Sequence, residues 1–286
     1  MIDQRIIDLY DRFTHGALSR REFFDRLARL AGGSAAALAM LPLLRNDYAR
    51  AAVVPEDDAR LTAGPVEFDA AGGRLGGYLV HLKDGDKRPA VVVIHENRGL
   101  NPHIRDVTRR LALDGFLALG VDMLSPLGGT PADEDRAREL IRSLDAAETL
   151  ARLAASVPFL AAHPLSTGKV GAVGFCWGGG MANRLAAAGT ALAASVAYYG
   201  AQLPADQVPA ITAPLLLHYA GLDERINAGI APYKAALDAA GKPYELHVYE
   251  GVNHAFNNDT SPTRYDRAAA DLAWGRTVAF LKKHLA

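Results

Sequence analysis

The chain of 286 residues is short of several things, and each shortage excludes a class of protein. One cysteine, Cys176, allows no internal disulfide and no thiolate cluster for zinc. Neither charge is in excess: 31 lysines and arginines face 32 aspartates and glutamates, which argues against a basic nucleic-acid binder or a disordered acidic tail. A long apolar run is also missing. The Ala/Leu/Gly-rich stretch from Leu30 to Leu44 is interrupted by Pro42 and falls short of the ~20 residues a membrane-spanning helix needs. No internal repeat is visible. What remains is near-average composition, 50% hydrophobic, which reads as a globular protein with a sizeable core and neither nucleic acid nor membrane as partner.

Residues 1–62 differ in texture from residues 63–286 and support two readings. Arg20-Arg21, the apolar stretch and Ala49-Arg50-Ala51 resemble a twin-arginine export signal with a cleavage site. The other reading is a helical extension. Ser19 and Glu22 form a capping box, in which each side chain can bond the other residue's amide and start a helix. Phe23, Leu27 and Leu30 then share a face, as Ile6, Tyr10 and Phe13 do on a preceding helix. Arg45 and Asp47 interrupt the approach to the cleavage site. The expectation is therefore two short helices clasping the main domain of a cytoplasmic protein, with periplasmic export as the alternative.

From Pro65 onward strands and helices alternate. Ala90 to His95 is an unbroken apolar run with three valines and an isoleucine, as a strand buried on both faces requires. Val66–Phe68 and Gly77–Leu82 read as short strands, and residues 116–121, 169–174, 193–199, 214–219 and 244–249 as further ones. Helical patterns lie at residues 132–162, 177–188, 231–240 and 265–284. This alternation predicts an α/β fold, a mostly parallel sheet with helices on both faces, with ligands beyond the carboxyl ends of the strands.

The chemistry gathers at three strand ends. Gly174-Phe175-Cys176-Trp177-Gly178-Gly179-Gly180 lies between a strand and a helix and has the shape of the nucleophile elbow G-x-S-x-G, with cysteine for serine. A sharp strand-to-helix turn forces close backbone contacts that only glycine fits, and the helix N-terminus favours a thiolate. A thiol nucleophile needs a base, and the base needs an orienting acid. An apolar strand ending in Gly221-Leu222-Asp223 supplies the acid, and the next, ending in Gly251-Val252-Asn253-His254, supplies the base. Asp223 could instead cap a turn, and Cys176 could be a packed apolar residue. The third constellation, His95-Glu96-Asn97-Arg98-Gly99, follows the first buried strand. The loop there supplies one oxyanion-hole amide in this fold, so the expected donors are the N–H groups of Asn97 and Trp177. Glu96 reads either as a proton-exchange partner of Cys176 or as an ion pair with Arg98. His95-Glu96 lacks the H-E-x-x-H spacing of a zinc protease, and no phosphate loop or dinucleotide fingerprint is present, so no metal or cofactor is expected.

These motifs, with Tyr198-Tyr199-Gly200 between them, together resemble the dienelactone hydrolase family from about Pro65 to the C-terminus. The resemblance implies an α/β-hydrolase fold, a triad of Cys176, His254 and Asp223, and a glutamate matched by Glu96 that takes the thiol proton when substrate binds. It further implies a small ester or lactone substrate of the dienelactone type, with Arg98 and Tyr199 as candidate substrate contacts. Family members place a serine after the catalytic histidine and an arginine shortly beyond, to bind the substrate carboxylate. Here Ala255, Phe256, Asn257 and Asn258 stand there, which bears on dienelactone itself and leaves Arg264 or Arg98 as stand-ins. The rival readings are a cysteine-based peroxide-reactive protein and a non-catalytic binding protein on a hydrolase scaffold. The sequence leaves monomer and homodimer equally open.

Overall fold

Residues 88–94 show why the sheet forms where it does. In the computed structural model, which describes residues 2–48 and 52–286, this segment is strand β3 (Arg88–Ile94). Its alternate side chains feed two separate cores: Val91 and Val93 on one face, Ala90, Val92 and Ile94 on the other. A strand apolar on both sides cannot sit at a surface, so helices must cover both faces.

The other strands are β1 (Leu61–Ala70), β2 (Gly73–Leu82), β4 (Leu117–Asp122), β5 (Ser166–Phe175), β6 (Leu192–Tyr198), β7 (Leu215–Ala220) and β8 (Tyr244–Tyr249). They form one eight-stranded sheet in the order β1-β2-β4-β3-β5-β6-β7-β8. β1 and β2 make an antiparallel hairpin whose second strand also runs antiparallel to β4, and every remaining pairing is parallel. Helix α4 (Pro102–Leu113) packs on the β3 valine side through Ile104, Val107 and Leu111. On the opposite face α7 (Ser156–Ala161) contributes Val157 and Leu160, and α8 (Trp177–Ala186) contributes Met181 and Leu185. α10 (Ile230–Ala239) covers that face near β7, and α11 (Arg267–Leu285) returns to the first one.

Two details differ from the sequence pattern. The single helical region expected at residues 132–162 is three helices, α5 (Glu134–Ser143), α6 (Ala146–Ala154) and α7. The breaks follow from new N-caps: Asp133 accepts from the Asp135 and Arg136 amides, and Asp145 from that of Glu148. The hairpin strands are also longer than their apolar cores, because β1 pairs β2 from Leu61–Leu82 to Ala70–Gly73 through polar positions as well.

Ahead of β1 lie three helices rather than two: α1 (Gln4–Thr14), α2 (Arg20–Ala31) and α3 (Ser34–Leu44). The capping box of Ser19 and Glu22 is formed, and Gly32 ends α2 in the left-handed conformation. Ile6, Leu9, Tyr10, Phe23, Leu27 and Leu44 make a small core of their own, while Leu30, on the predicted face of α2, stays 37% exposed. Among the described residues no single helix is long and apolar enough to cross a membrane; α2 and α3 pass that test only as a pair bent by 109°. Ala49-Arg50-Ala51 lies outside the described residues.

Candidate active site

The turn from β5 into α8 is where sequence and geometry are most tightly linked. A Cβ on Gly174 would come within 2.0 Å of the Gly178 carbonyl oxygen, and one on Gly178 within 2.3 Å of the Ile94 carbonyl oxygen. Only hydrogen fits at these two positions. Between them Cys176 is held at φ 56°, ψ −115°, immediately ahead of the first helical residue, Trp177. Among the described residues, the non-glycine residues with positive φ are Cys176, Tyr199 (38°) and Ala255 (67°). All three flank one cleft or its histidine, and backbone of this kind, costing about 1–3 kcal/mol each, collects at functional sites.

The cleft has a volume of about 410 Å³, and its lining includes Asn97, Cys176, Trp177, Tyr199, Arg225 and His254. A larger cavity of about 970 Å³ lies between the N-terminal helices and α5, with the twin arginines Arg20 and Arg21 in its wall, and neither Cys176 nor His254 reaches it.

Asp223 and His254 come from the loops after β7 and β8. Asp223 serves both readings of its position: Oδ1 accepts from the Ile226 amide at 3.2 Å, starting the short helix α9 (Glu224–Asn227), and Oδ2 accepts from His254 Nδ1 at 2.5 Å. His254 Nε2 is thereby left buried with no hydrogen-bond partner, on the side of Cys176. Burial alone would push the His254 pKa down, but Asp223, Cys176 and Asp11 raise it well above the ordinary imidazole value. Burial would push the Cys176 thiol up, yet His254 and His15 bring it down to about 6.

His15 is the residue that sequence reasoning missed. It follows α1 directly, and its Nε2 lies 3.2 Å from Cys176 Sγ, while its ring meets that of His254 edge-on at 4.7 Å. No local motif marks it; the absence of any other role for a histidine just past an amphipathic helix is too weak a signal. The donor atoms of His15, Cys176 and His254 all lie within 4.8 Å of one another.

Glu96 is buried and accepts from Asn258 Nδ2 at 2.8 Å through Oε2, leaving Oε1 without a partner. Burial raises its pKa, but His103, Arg98, Arg264 and His254 outweigh that and hold the carboxyl below its usual value. The ion pair weighed for Glu96 with Arg98 goes elsewhere: Arg98 Nε bonds Glu134 Oε2 at 3.0 Å, and its Nη2 lies 3.4 Å from the Tyr10 hydroxyl. Arg98 therefore does not line the cleft, and neither does Arg264, whose Nε donates to Ser261 and whose guanidinium covers the Tyr10 ring. Arg138, Arg142, Arg184 and Arg225 line it instead. Tyr199 does reach the site, with its ring 4.8 Å from that of His254 and its buried hydroxyl unpartnered. Trp177 stacks on His95 at 5.3 Å. His95 Nδ1 donates to the Glu96 carbonyl at 2.6 Å and its Nε2 accepts from the Met123 amide at 3.2 Å, which fixes the loop carrying Asn97.

A mostly parallel sheet with a cysteine at its central strand-to-helix elbow, and an acid and a histidine at the ends of later strands, defines an α/β-hydrolase. Residues 75–285 match the model of the dienelactone hydrolase family, and the chain belongs to it, which makes the protein a carboxylic ester or lactone hydrolase. A second model, described as YqhI-like, matches residues 1–33. The chain is 31% identical over 248 residues to the "Putative carboxymethylenebutenolidase" of Escherichia coli O157:H7, covering 81% of this chain and 91% of that one. It is similar to the crystal structure of a "Putative Dienelactone Hydrolase" from Klebsiella pneumoniae, with 29% identity and a TM-score of 0.72 over 78% of this chain and 99% of that one. A thermostable esterase from Pseudomonas putida shares the fold alone, at 17% identity and a TM-score of 0.65, over 100% of this chain and 98% of its own.

Proposed function

We propose that the enzyme hydrolyses a small-molecule ester or lactone through a thioester on Cys176. The observation that carries this reading is the elbow itself: a strained cysteine, with a thiol pKa brought down to about 6, facing an imidazole already oriented by a carboxylate. In this reading the sulfur attacks the carbonyl carbon, and the amides of Asn97 and Trp177 hold the oxyanion. Trp177 suits that role because the first amides of a helix have no intrahelical acceptor. His254 then takes a proton from water for deacylation. Acylation favours this second role, since the thiolate charge that helps raise the His254 pKa is gone once sulfur is acylated. Glu96, with one oxygen held by Asn258 and the other free, is proposed to exchange a proton at the same site.

The arginines of the cleft favour a substrate that carries a carboxylate, in keeping with a dienelactone-type lactone though held by different residues from those after the family's histidine. The deciding experiment is a screen of lactones, dienelactone included, and of neutral and carboxylated esters, with Cys176→Ala as control. A burst of product equal to the enzyme concentration supports the acyl-enzyme. Undiminished turnover by Cys176→Ala overturns it. The extension is proposed to stay on the working enzyme; N-terminal sequencing of natively produced protein checks this, and a start near Ala52 would refute it.

A further inference from the structure

Helix α1 ends over the Cys176 cleft, and three of its residues reach three different site loops. Gln4 Nε2 donates to Asn253 Oδ1 at 2.5 Å, beside His254. Asp11 Oδ2 lies 3.6 Å from Arg225 Nε, two positions past Asp223. The Thr14 carbonyl accepts from Asn97 Nδ2 at 3.0 Å. The next residue is His15, half-buried against the sulfur.

The His15 ring is fixed by the backbone, with a carboxylate nearby, where that of His254 is fixed by a carboxylate directly. His15 Nδ1 donates to the Asp11 carbonyl at 2.8 Å and lies 3.2 Å from Asp11 Oδ1, so Nε2 is the atom facing Cys176 Sγ. Two aspartate–histidine pairs thus converge on one sulfur: Asp223 with His254 from the strand ends, and Asp11 with His15 from the extension. Both imidazoles act on the sulfur and lower its pKa, and His15 Nε2 lies 3.2 Å from it.

We propose that His15, carried by the extension and oriented by Asp11, is a second catalytic imidazole, which takes the Cys176 proton and keeps the sulfur as a thiolate before substrate arrives. The inference rests on Cys176 being the nucleophile. The proton balance is complete without a co-reactant. The thiol proton passes to His15 Nε2. As the carbon–sulfur bond forms and the ester carbon–oxygen bond breaks, that proton goes to the departing oxygen. Water then adds to the thioester and gives a proton to His254, and the carbon–sulfur bond breaks to restore the thiolate. Of the protons then on His254 and on the product acid, one returns to His15 and one leaves with the carboxylate product. With the thiol proton already on His15, Glu96 is left to exchange protons with water or product rather than with sulfur, so ionisation here precedes substrate, unlike the substrate-triggered step that the family resemblance implies.

Charged and titratable groups of both signs surround the site: Asp11 on α1 and His15 just after it, His254 and Asp223 in the loops after β8 and β7, Glu96 and Tyr199 in those after β3 and β6, Arg225 on α9, Arg138 and Arg142 on α5, and Arg184 on α8; of these the two imidazoles bring the thiol pKa down. Burial lowers the His15 pKa, but Cys176 and Asp11 raise it above the ordinary value. Burial raises that of Asp11, but His254, His15 and Arg225 hold it well below the carboxylate range.

The test is the pH dependence of Cys176 alkylation by iodoacetamide, which needs no substrate and so stands apart from any failure to find one. The expected midpoint is about 6 for the wild type. In His15→Ala and His15→Gln it should rise by at least about one unit toward the ordinary thiol value of roughly 8.5, and in Glu96→Gln it should stay in place. Added imidazole should restore ester hydrolysis to His15→Ala and not to Cys176→Ala. An unchanged midpoint in both His15 variants overturns the proposal, as does faster ester hydrolysis by His15→Ala, which would make His15 a plug. Should neither variant fold, judged by circular dichroism, the ultraviolet thiolate absorbance of the wild type decides: titration near the ordinary thiol value refutes a resting thiolate.

Discussion

The two imidazoles beside Cys176 are delivered by very different parts of the molecule. His254 sits in a loop anchored on β8, and its aspartate follows β7, so their separation is set by two adjacent parallel strands in the sheet. His15 and its aspartate lie at the end of a helix docked on the outside, held by its own small core and a few polar contacts. An aspartate and an imidazole are brought together once in the scaffold, through a direct carboxylate bond, and once in a layer laid over it, where the backbone carbonyl holds the ring and the carboxylate lies 3.2 Å away. A site that depends on a docked layer can lose one half of its chemistry without unfolding the other.

Breaking the scaffold half should have the largest effects. Cys176→Ala removes the proposed nucleophile, and a loss on the order of 10⁶-fold in kcat/KM is expected in an ester assay, with the melting temperature little changed. Asp223→Asn leaves a neutral ring holding the wrong tautomer and should cost on the order of 10⁴-fold. The corresponding change in the docked half, Asp11→Asn, should cost far less, about tenfold, because the Asp11 backbone carbonyl still fixes the His15 ring. Equal losses in these two variants would mean that the halves are not distinct. A leaving-group series sharpens the contrast: His15→Ala should lose more on an alkyl ester, which needs its departing oxygen protonated, than on a nitrophenyl ester, which does not.

The scaffold half was legible in the sequence, and the docked half was not. Glycines flank Cys176 because a Cβ would collide with backbone, and that need leaves a fixed pattern in the sequence. Asp223 and His254 end apolar strands in the order that the fold dictates, so position alone finds them. The capping box of α2 was equally readable, being a bond between near neighbours in sequence. His15 meets Cys176 across 161 positions through the docking of a helix, and no local pattern encodes such a contact. Arg98 shows the opposite limit. Its place beside Glu96 in the chain suggested a part in the chemistry, yet its side chain turns to Glu134 and Tyr10 and serves the joint between extension and sheet.

The smallest expected effect probes that joint directly. Gln4 stands at the start of α1, at the opposite end from His15, and its amide bonds Asn253 next to His254. Replacing it with alanine removes its two hydrogen bonds with Asn253, together with a net worth of about 1–2 kcal/mol, so the docked state loses at most roughly thirtyfold in population. With the small core of α1, α2 and α3 intact, that leaves the extension in place most of the time. Gln4→Ala should therefore keep a thiol midpoint near about 6 while its α1 amides exchange with deuterium faster, by up to that factor. A midpoint displaced as far as in His15→Ala would show that these two bonds, and not the apolar core behind them, hold the second imidazole on the sulfur.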